Sequence, residues 1–268
     1  MPNNILAASR RGASHIRNNT PCQDAYALET QTINEKTAIA LAVADGHGDA
    51  QHDLSEHGAK IAVKLAIKEL MDFFQHFYCK ENSLSLLNRN FKQNFPRQIG
   101  RNWRKAIWQD AKKRLSSFTE TDKNQKTLKR YGTTLLTALI LPDCLLLGQI
   151  GDGDILRILE NGDIEEPFKN PTQIISNYTE SLCLESADKL WKTATLARIK
   201  GESILLSTDG LSNAFIEKSQ FHTFANSLLA RINEFGIKSV EAALPQWLDE
   251  YSEKATGDDI TLLIFKGK

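Results

Sequence analysis

Several apolar runs along the chain end at or next to an aspartate. Residues 36–44 (KTAIALAVA) are nearly all apolar and stop at Asp45, and residues 203–207 (SILLS) lead through one threonine to Asp209. Short apolar runs bounded by polar or turn residues are typical of buried strands. The same pattern predicts further strands at 5–9, 25–28, 133–141, 144–150, 155–159 and 260–265. Pro142-Asp143 and Asn161-Gly162 follow two of these runs and indicate hairpin turns.

Elsewhere the apolar residues recur every three or four positions, which is typical of helices packed on a core. This spacing predicts helices at 53–78, 97–118, 219–233 and 238–254. Residues 79–96 are predicted to form a loop, and residues 168–190 show no clear periodicity of apolar positions, so they are left unassigned. Because the helices are not interleaved regularly between the strands, the order favours an α+β fold, in which helices cover an antiparallel sheet.

Composition narrows the class of protein. The 268 residues contain 33 Lys+Arg and 33 Asp+Glu, so binding of nucleic acid through global charge is not expected. The four cysteines are widely scattered, which predicts free thiols rather than a disulfide framework. The first residues do not resemble a secretory signal, and the longest apolar stretch, 135–147, is too short and interrupted to span a bilayer. We therefore expect a soluble, cytoplasmic protein.

Charge is nevertheless unevenly distributed. Residues 89–130 hold 13 Lys+Arg and three acidic residues, a local net charge of +10. Such a segment is most simply a solvated helix face. A docking surface for an acidic or phosphorylated partner, or weakly for nucleic acid, is the alternative.

The aspartates at strand boundaries carry the chemical signal. Asp45, Asp152 and Asp209 each follow a predicted strand and precede a glycine, whereas Asp24 and Asp258 stand just before strands. A single Asp-Gly pair is more often a turn than a ligand. Several buried carboxylates at the ends of a sheet would repel one another unless cations neutralised them. Mg²⁺ and Mn²⁺ take oxygen ligands of this kind, whereas the sequence has no Cys/His cluster for zinc.

The motifs around these aspartates stand in a recognisable order: CQDAY at 22–26, DGHG at 45–48, YGTT at 131–134, GDGD at 151–154, STDGL at 207–211 and DDIT at 258–261. In this order they resemble the metal-dependent type 2C serine/threonine protein phosphatases, in their compact bacterial branch. The resemblance runs from residue 10 to residue 265. It implies a single catalytic domain over 1–268, built as a four-layer α/β/β/α sandwich with two central, mainly antiparallel sheets. It also implies a variable flap at about 167–194.

The resemblance further implies a site with two Mn²⁺ or Mg²⁺ ions. Asp45 would bridge both ions, and the carbonyl of Gly46 would bind one of them. Asp209 and Asp258 would bind the second ion. Asp24 would hold metal-bound water or support the cluster.

Three further positions follow from the same comparison. Asp152 matches the family position that, together with Asp209, binds a weaker third metal in many bacterial members. His47 would be the general acid for the leaving oxygen of serine or threonine. The usual phosphate-binding arginine is displaced, because its position holds Asn19, and Arg17 is the nearest substitute, with Arg10 and Arg11 as rivals. Gln23 replaces a glutamate that the family usually has.

The implied activity is hydrolysis of phosphoserine and phosphothreonine in proteins by a water that bridges two divalent ions. The implied partners are phosphoproteins, such as a serine/threonine kinase or its target, and we expect a monomer without membrane or nucleic-acid contacts. Two alternatives stay open. One is a phosphatase-like regulatory module with weakened catalysis, suggested by Gln23 and the displaced arginine. The other is a phosphoesterase for small molecules, because a fold does not determine the substrate.

Overall fold

The computed structural model describes residues 4–80, 83–168 and 179–267. Within these ranges the chain forms ten strands. They are β1 (Ile5–Arg10), β2 (Ala25–Ile33), β3 (Lys36–Ala44), β4 (Leu135–Ile140), β5 (Cys144–Ile150), β6 (Asp154–Ile158), β7 (Ile164–Glu165), β8 (Lys192–Ala197), β9 (Ser203–Ser207) and β10 (Ile260–Phe265).

The described residues also contain eight α-helices. They are α1 (Ala13–Arg17), α2 (Ser55–Phe73), α3 (Leu84–Arg114), α4 (Gln125–Arg130), α5 (Ala187–Leu190), α6 (Asp209–Ser212), α7 (Lys218–Phe235) and α8 (Ile237–Tyr251). A π-helical turn extends α2 over Phe74–Tyr78, and a second one extends α8 over Ser252–Thr256.

The strands form two five-stranded sheets, with the orders β1-β10-β9-β6-β7 and β2-β3-β4-β5-β8. Every pair of neighbouring strands is antiparallel. The predicted turn at Pro142-Asp143 joins β4 to β5, and the one at Asn161-Gly162 joins β6 to β7, where Gly162 takes the positive φ of 88° that such turns favour.

Strand β3 shows why the pattern is apolar on both faces. Its alanines at positions 38, 40, 42 and 44 belong to the core beneath α2 and α3, whereas Leu41 and Val43 belong to the core between the two sheets. The small alanine side chains let α2 approach the sheet closely. A third core joins the other sheet to α7 and α8, around Leu205, Leu228 and Leu244. The predicted four-layer α/β/β/α sandwich is therefore confirmed.

The loop predicted at 79–96 is wrong beyond residue 83, because α3 begins at Leu84. The hydroxyl of Ser83 caps this helix by accepting a hydrogen bond from the amide of Leu86. Pro96 usually marks a helix boundary but lies inside α3. The aromatic rings of Phe91 and Phe95 are 1% exposed, so their burial on the core outweighs the hydrogen bond that the proline removes.

The region of the predicted flap, 167–194, is only partly described, since residues 169–178 and with them Tyr178 lie outside the described ranges. The unassigned stretch 168–190 contains α5 and is followed by β8, which pairs with β5 at the sheet edge. Trp191 packs edge-on against Phe95, with ring centroids 5.5 Å apart, so it is a packing residue at this sheet edge. All four cysteines are free. None of the helices in the described ranges has the length and apolar character needed to cross a membrane.

Candidate metal centre and active site

Asp45 stands where β3 ends, and its main chain is held from both sides by the YGTT segment. The carbonyl oxygen of Asp45 accepts hydrogen bonds from the amide of Thr134 and the hydroxyl of Thr133, both at 2.8 Å. The amide of Asp45 in turn donates to the hydroxyl of Thr134 at 3.0 Å. These bonds fix the direction in which the carboxylate leaves the strand.

Gly46 lies in a space that excludes any side chain. A Cβ atom at this position would lie 2.8 Å from the carbonyl oxygen of Gln23 and 2.9 Å from the backbone of Ser55. Gly46 also forms an isolated bridge with Thr133. The glycine therefore lets the DGHG segment pass between β2, α2 and the YGTT segment at van der Waals distance.

Asp24 is buried at the start of β2, 4% exposed. Its Oδ2 accepts a hydrogen bond of 2.8 Å from the hydroxyl of Thr208, which in turn accepts one of 2.9 Å from the amide of Thr261. Its Oδ1 is buried and has no hydrogen-bond partner. Burial, followed by the charge of Asp259, raises the pKa of this carboxyl well above its usual value.

Asp209 begins α6, directly after β9 and Thr208. Its Oδ2 accepts a hydrogen bond of 2.9 Å from Asn213, and its carboxyl neighbours that of Asp45. Burial, followed by the charge of Asp152, raises the pKa of Asp209 to about 6. For Asp45, burial and the charge of Asp24 raise the pKa well above the usual value. Two carboxyls this close share a proton unless a cation replaces it.

The two aspartates of the DDIT motif differ in their hydrogen bonds. Asp259 is 3% exposed and accepts hydrogen bonds of 2.6 Å from the amides of Gly12 and Gln23, one on each oxygen. The Nδ1 atom of His15 lies 2.9 Å from the same carboxylate. Asp258 has only its Oδ1 engaged, by the amide of Asp259 at 2.8 Å, and burial raises its pKa. Asp259 therefore ties the N-terminal segment to β10, and Asp258 is the better candidate ligand of the two.

Asp152 lies at the rim of the site, exposed to solvent, and accepts a hydrogen bond of 2.9 Å from the hydroxyl of Thr179. A cavity of about 420 Å³ is lined by Asp152, Asp209 and Asp154. Burial raises the pKa of Asp154, and its Oδ2 is buried without a hydrogen-bond partner. The family resemblance implied a third ion at Asp152 and Asp209, and Asp154 places another carboxylate beside them.

His47 lies next to the aspartates, with its amide donating to the carbonyl of Gly132 at 3.1 Å. Its ring meets that of His52 edge-on, at 4.8 Å between centroids. Gly132 is required here, since a Cβ atom at this position would lie 2.7 Å from the ring of His47 and 2.4 Å from that of His52. Burial, followed by the charge of His52, lowers the pKa of His47 to about 4, so its ring is neutral at pH 7.

Gln23 replaces the expected acid and supports the loop that carries His47. Its Nε2 donates to the hydroxyl of Ser55 at 2.6 Å and to the carbonyl of His47 at 3.2 Å. Its Oε1 is buried and has no hydrogen-bond partner. The side chain therefore keeps a neutral acceptor at the site, without the charge of a glutamate.

One cavity of about 570 Å³ gathers five of the predicted site residues, whereas Asp24 and Gly46 are not among its lining residues. Its lining includes Asp45, Asp152, Asp209, Asp258 and His47. A larger cavity, of about 820 Å³, lies between α7 and α8 and shares no lining residue with this one. The site is therefore defined by its carboxylates rather than by cavity size.

The predicted phosphate-binding arginine is not among the described residues that line this cavity. Arg17 is exposed at the end of α1. Arg10 forms a two-pronged pair with Asp249, with distances of 2.6 and 2.7 Å, and Arg11 donates to the carbonyl of His15 at 2.9 Å. The roles proposed for these arginines remain predictions.

The carboxylates fit a hard divalent cation. Within the described ranges, none of Asp24, Asp45, Asp209 and Asp258 forms a salt bridge with a lysine or arginine. The salt bridges of these ranges lie elsewhere. Their raised pKa values show the cost of burying negative charge without a counter-ion. The orphaned oxygen of Asp24 adds an unused acceptor.

The described side chains alone do not form a complete coordination shell for a metal ion. In the described part of the chain, no three His, Cys, Asp or Glu side chains form a group that could hold a metal by themselves. Mg²⁺ and Mn²⁺ usually keep several waters and need only one or two carboxylates each. An all-oxygen set of carboxylates, one backbone carbonyl and water therefore suits them better than it suits zinc.

Sequence reasoning missed the residues that position the ligands. Thr133, Thr134 and Thr208 act through their hydroxyls on Asp45 and Asp24. The signal was present, because these threonines belong to the motifs YGTT and STDGL that identified the site.

Comparison with known proteins agrees with this geometry. Residues 11–249 match the family model described as protein phosphatase 2C. Serine/threonine-protein phosphatase 3 of Escherichia coli strain K12 is 24% identical over 269 residues, covering 97% of this chain and 96% of that protein.

Solved structures share the fold. Serine/threonine phosphatase Stp1 from Staphylococcus aureus superimposes with a TM-score of 0.61 and 16% identity, covering 100% of this chain and 96% of that one. The catalytic domain of serine threonine protein phosphatase PstP, in complex with two manganese ions, gives a TM-score of 0.55 and 17% identity, covering 98% of each chain.

The two stacked antiparallel sheets, flanked by helices, have the fold of these phosphatase structures. The family model covers most of the chain, and the chain belongs to the protein phosphatase 2C family. This confirms the predicted family and the predicted class of enzyme, a protein serine/threonine phosphatase.

Proposed function

We propose that this protein removes phosphate from phosphoserine and phosphothreonine side chains of proteins, by direct attack of water and without a covalent intermediate. Two divalent ions, Mn²⁺ or Mg²⁺, would supply an activated water and offset negative charge on the phosphoryl oxygens. Asp45, with the carbonyl of Gly46, Asp209 and Asp258 would hold them, and Asp24 would orient bound water. Asp152 would complete a weaker third site.

The observation that carries this proposal is the pair of neighbouring, half-buried carboxyls of Asp45 and Asp209, which line the same cavity at the edge of the sandwich and both have raised pKa values. A folded protein gains nothing from two carboxyls that must share a proton. The arrangement is favourable once a cation takes the place of that proton. The cavity of about 570 Å³ above this pair leaves room for a phosphorylated side chain.

His47 would protonate the departing alkoxide. Its pKa of about 4 means that the imidazole is neutral before substrate binds. A phosphate dianion in the cavity would raise that pKa, because a nearby negative charge favours the imidazolium. The ring would therefore gain a proton as the substrate binds and release it to the leaving oxygen.

Phosphoproteins are the proposed partners, with a serine/threonine kinase or its target as the natural counterpart, and the proposed compartment is the cytoplasm. Arg17, which is exposed at the end of α1, stays a proposed phosphate contact. A monomer is sufficient for this proposal, because every proposed ligand comes from one chain.

A substrate panel tests the proposal. With Mn²⁺ present, phosphoserine and phosphothreonine peptides should be hydrolysed with a higher kcat/KM than phosphotyrosine peptides or small phosphomonoesters. A preference for small phosphomonoesters would instead support the small-molecule alternative.

The regulatory-module alternative rests on Gln23, which removes one negative charge from the site. Calorimetric titration with Mn²⁺ distinguishes the catalytic phosphatase from the regulatory module. A catalytic site should bind Mn²⁺ with heat that Asp45→Ala abolishes. Absence of binding at millimolar metal would favour the module.

A further inference from the structure

Lys129 is the only lysine or arginine among the described residues that line the active-site cavity. It lies in the last turn of α4, two residues before the YGTT segment begins, and is partly buried. Lys129 and the carboxylates of the candidate metal site thus line the same cavity.

The position of Lys129 is determined by contacts on both sides. Its Nζ donates a hydrogen bond to Oε1 of Gln51, which lies in the turn after the DGHG motif. The next residue, Arg130, forms a two-pronged pair with Asp53, with distances of 2.7 and 2.6 Å, and its carbonyl accepts from the amide of Leu54 at 2.8 Å. Helix α4 is therefore clamped to the segment that carries His47, and the lysine is held in place before any ligand binds.

The charge of Lys129 is not neutralised by a salt bridge within the described ranges. Its hydrogen-bond partner, Gln51, is neutral. The pKa of the exposed Asp49 is lowered by hydrogen bonds from Gln51 and His52 first, and by the charge of Lys129 after them. A partly buried cation of this kind attracts an anion, and charge-assisted hydrogen bonds to oxyanions are among the strongest available to a lysine.

We propose that Lys129 is a substrate-binding residue that contacts an anionic oxygen of the phosphorylated substrate. This proposal rests on the phosphatase function proposed above. Two sources can supply the oxygen: the phosphoryl group itself, or a carboxylate that flanks the phosphorylated residue. Arg17 is exposed and does not line the cavity. In either case Lys129 would therefore supply a positive charge to the bound anion from within the cavity.

The test compares Lys129→Gln with Lys126→Gln, a matched control three residues earlier on the same short helix. Lys126 is exposed and does not line the cavity. Lys129→Arg, which keeps the charge, is the rescue variant. Thermal unfolding of all three variants checks that each one folds.

Two readouts are measured with Mn²⁺-loaded protein. The first is calorimetric binding of inorganic phosphate, which does not depend on turnover. The second is kcat and KM for p-nitrophenyl phosphate and for phosphoserine peptides with glutamate or glutamine beside the phosphorylated residue. Loss of one charge-assisted hydrogen bond corresponds to roughly a 10-fold to 100-fold loss of affinity.

Weaker phosphate binding and a higher KM for every substrate, in Lys129→Gln only, would support contact with the phosphoryl group. A higher KM for the glutamate peptide alone would support contact with a flanking carboxylate. Equal values for wild type, Lys129→Gln and Lys126→Gln would overturn the proposal. If wild type hydrolyses nothing, the phosphatase proposal fails, while the phosphate-binding readout still reports on Lys129.

Discussion

Asp209→Asn should stabilise the metal-free protein while it removes metal-dependent activity. In the absence of metal, Asp209 is half-buried beside Asp45 and has a pKa of about 6, against 3.8 in an unfolded chain. An acid whose pKa is raised by folding contributes most to stability below its unfolded pKa, and that contribution is lost as pH rises through the folded value. At pH 7.5 the shift of about 2.2 units corresponds to a cost of roughly 3 kcal/mol.

The asparagine variant removes this cost and keeps an acceptor for Asn213, so its melting temperature in EDTA should exceed that of wild type. For a chain of this size, roughly 2 °C per kcal/mol gives a rise of up to about 6 °C at pH 7.5. At pH 5 wild-type Asp209 is mostly protonated in the folded state, and the difference should fall to roughly half.

Thermal unfolding followed by circular dichroism measures the melting-temperature difference at pH 7.5 and at pH 5. The matched control is Glu241→Gln, which replaces an exposed acid on α8. Adding Mn²⁺ should raise the melting temperature of wild type and have little effect on Asp209→Asn. A variant that melts below wild type at pH 7.5 in EDTA would refute the electrostatic reasoning. A difference that does not change with pH would refute it as well.

Three further predictions follow from the site. His47→Ala should lower kcat for a phosphoserine peptide by roughly 100-fold to 10,000-fold but lower it much less for p-nitrophenyl phosphate, whose leaving group needs little protonation; equal losses in steady-state assays would exclude a general-acid role. The apparent affinity for Mn²⁺ in calorimetry should weaken as pH falls below about 6, because protons compete for the carboxyl of Asp209; a constant affinity from pH 7.5 to pH 5.5 would contradict this. Gly210→Ala should destabilise the protein by roughly 1–3 kcal/mol in urea unfolding, because its Cβ would lie 2.1 Å from the carbonyl oxygen of Asp259; Gly100→Ala, with nothing within 4 Å of its Cβ, is the control and should be neutral or stabilising.

The sequence predicted the strands well, because each apolar run is short and sharply bounded. Strand β3 is the clearest case, since both of its faces are buried and its last residue delivers Asp45 to the site. The motif order identified the family, and the cavity brings together Asp45, His47, Asp152, Asp209 and Asp258, as that order implied.

The errors arise where long-range packing decides the structure. The first half of α3 has a proline and many polar residues, so local propensity indicates a loop; burial of Phe91 and Phe95 makes it a helix. Strand β8 forms because the edge of β5 is available for pairing, which cannot be inferred from its own residues. Lys129 belongs to the basic segment 89–130, but the sequence did not distinguish it from the other basic residues there, because only the clamp between α4 and the DGHG segment places it at the cavity.

The central claim is that the aspartate cluster holds metal ions for phosphoester hydrolysis, and phosphate release from a phosphoserine peptide tests it most directly. Wild type should be inactive in EDTA and regain activity on addition of Mn²⁺ or Mg²⁺. Asp45→Ala should stay inactive with either metal while remaining folded. Metal-dependent hydrolysis by Asp45→Ala at the wild-type rate, or full activity of wild type in EDTA, would contradict the account.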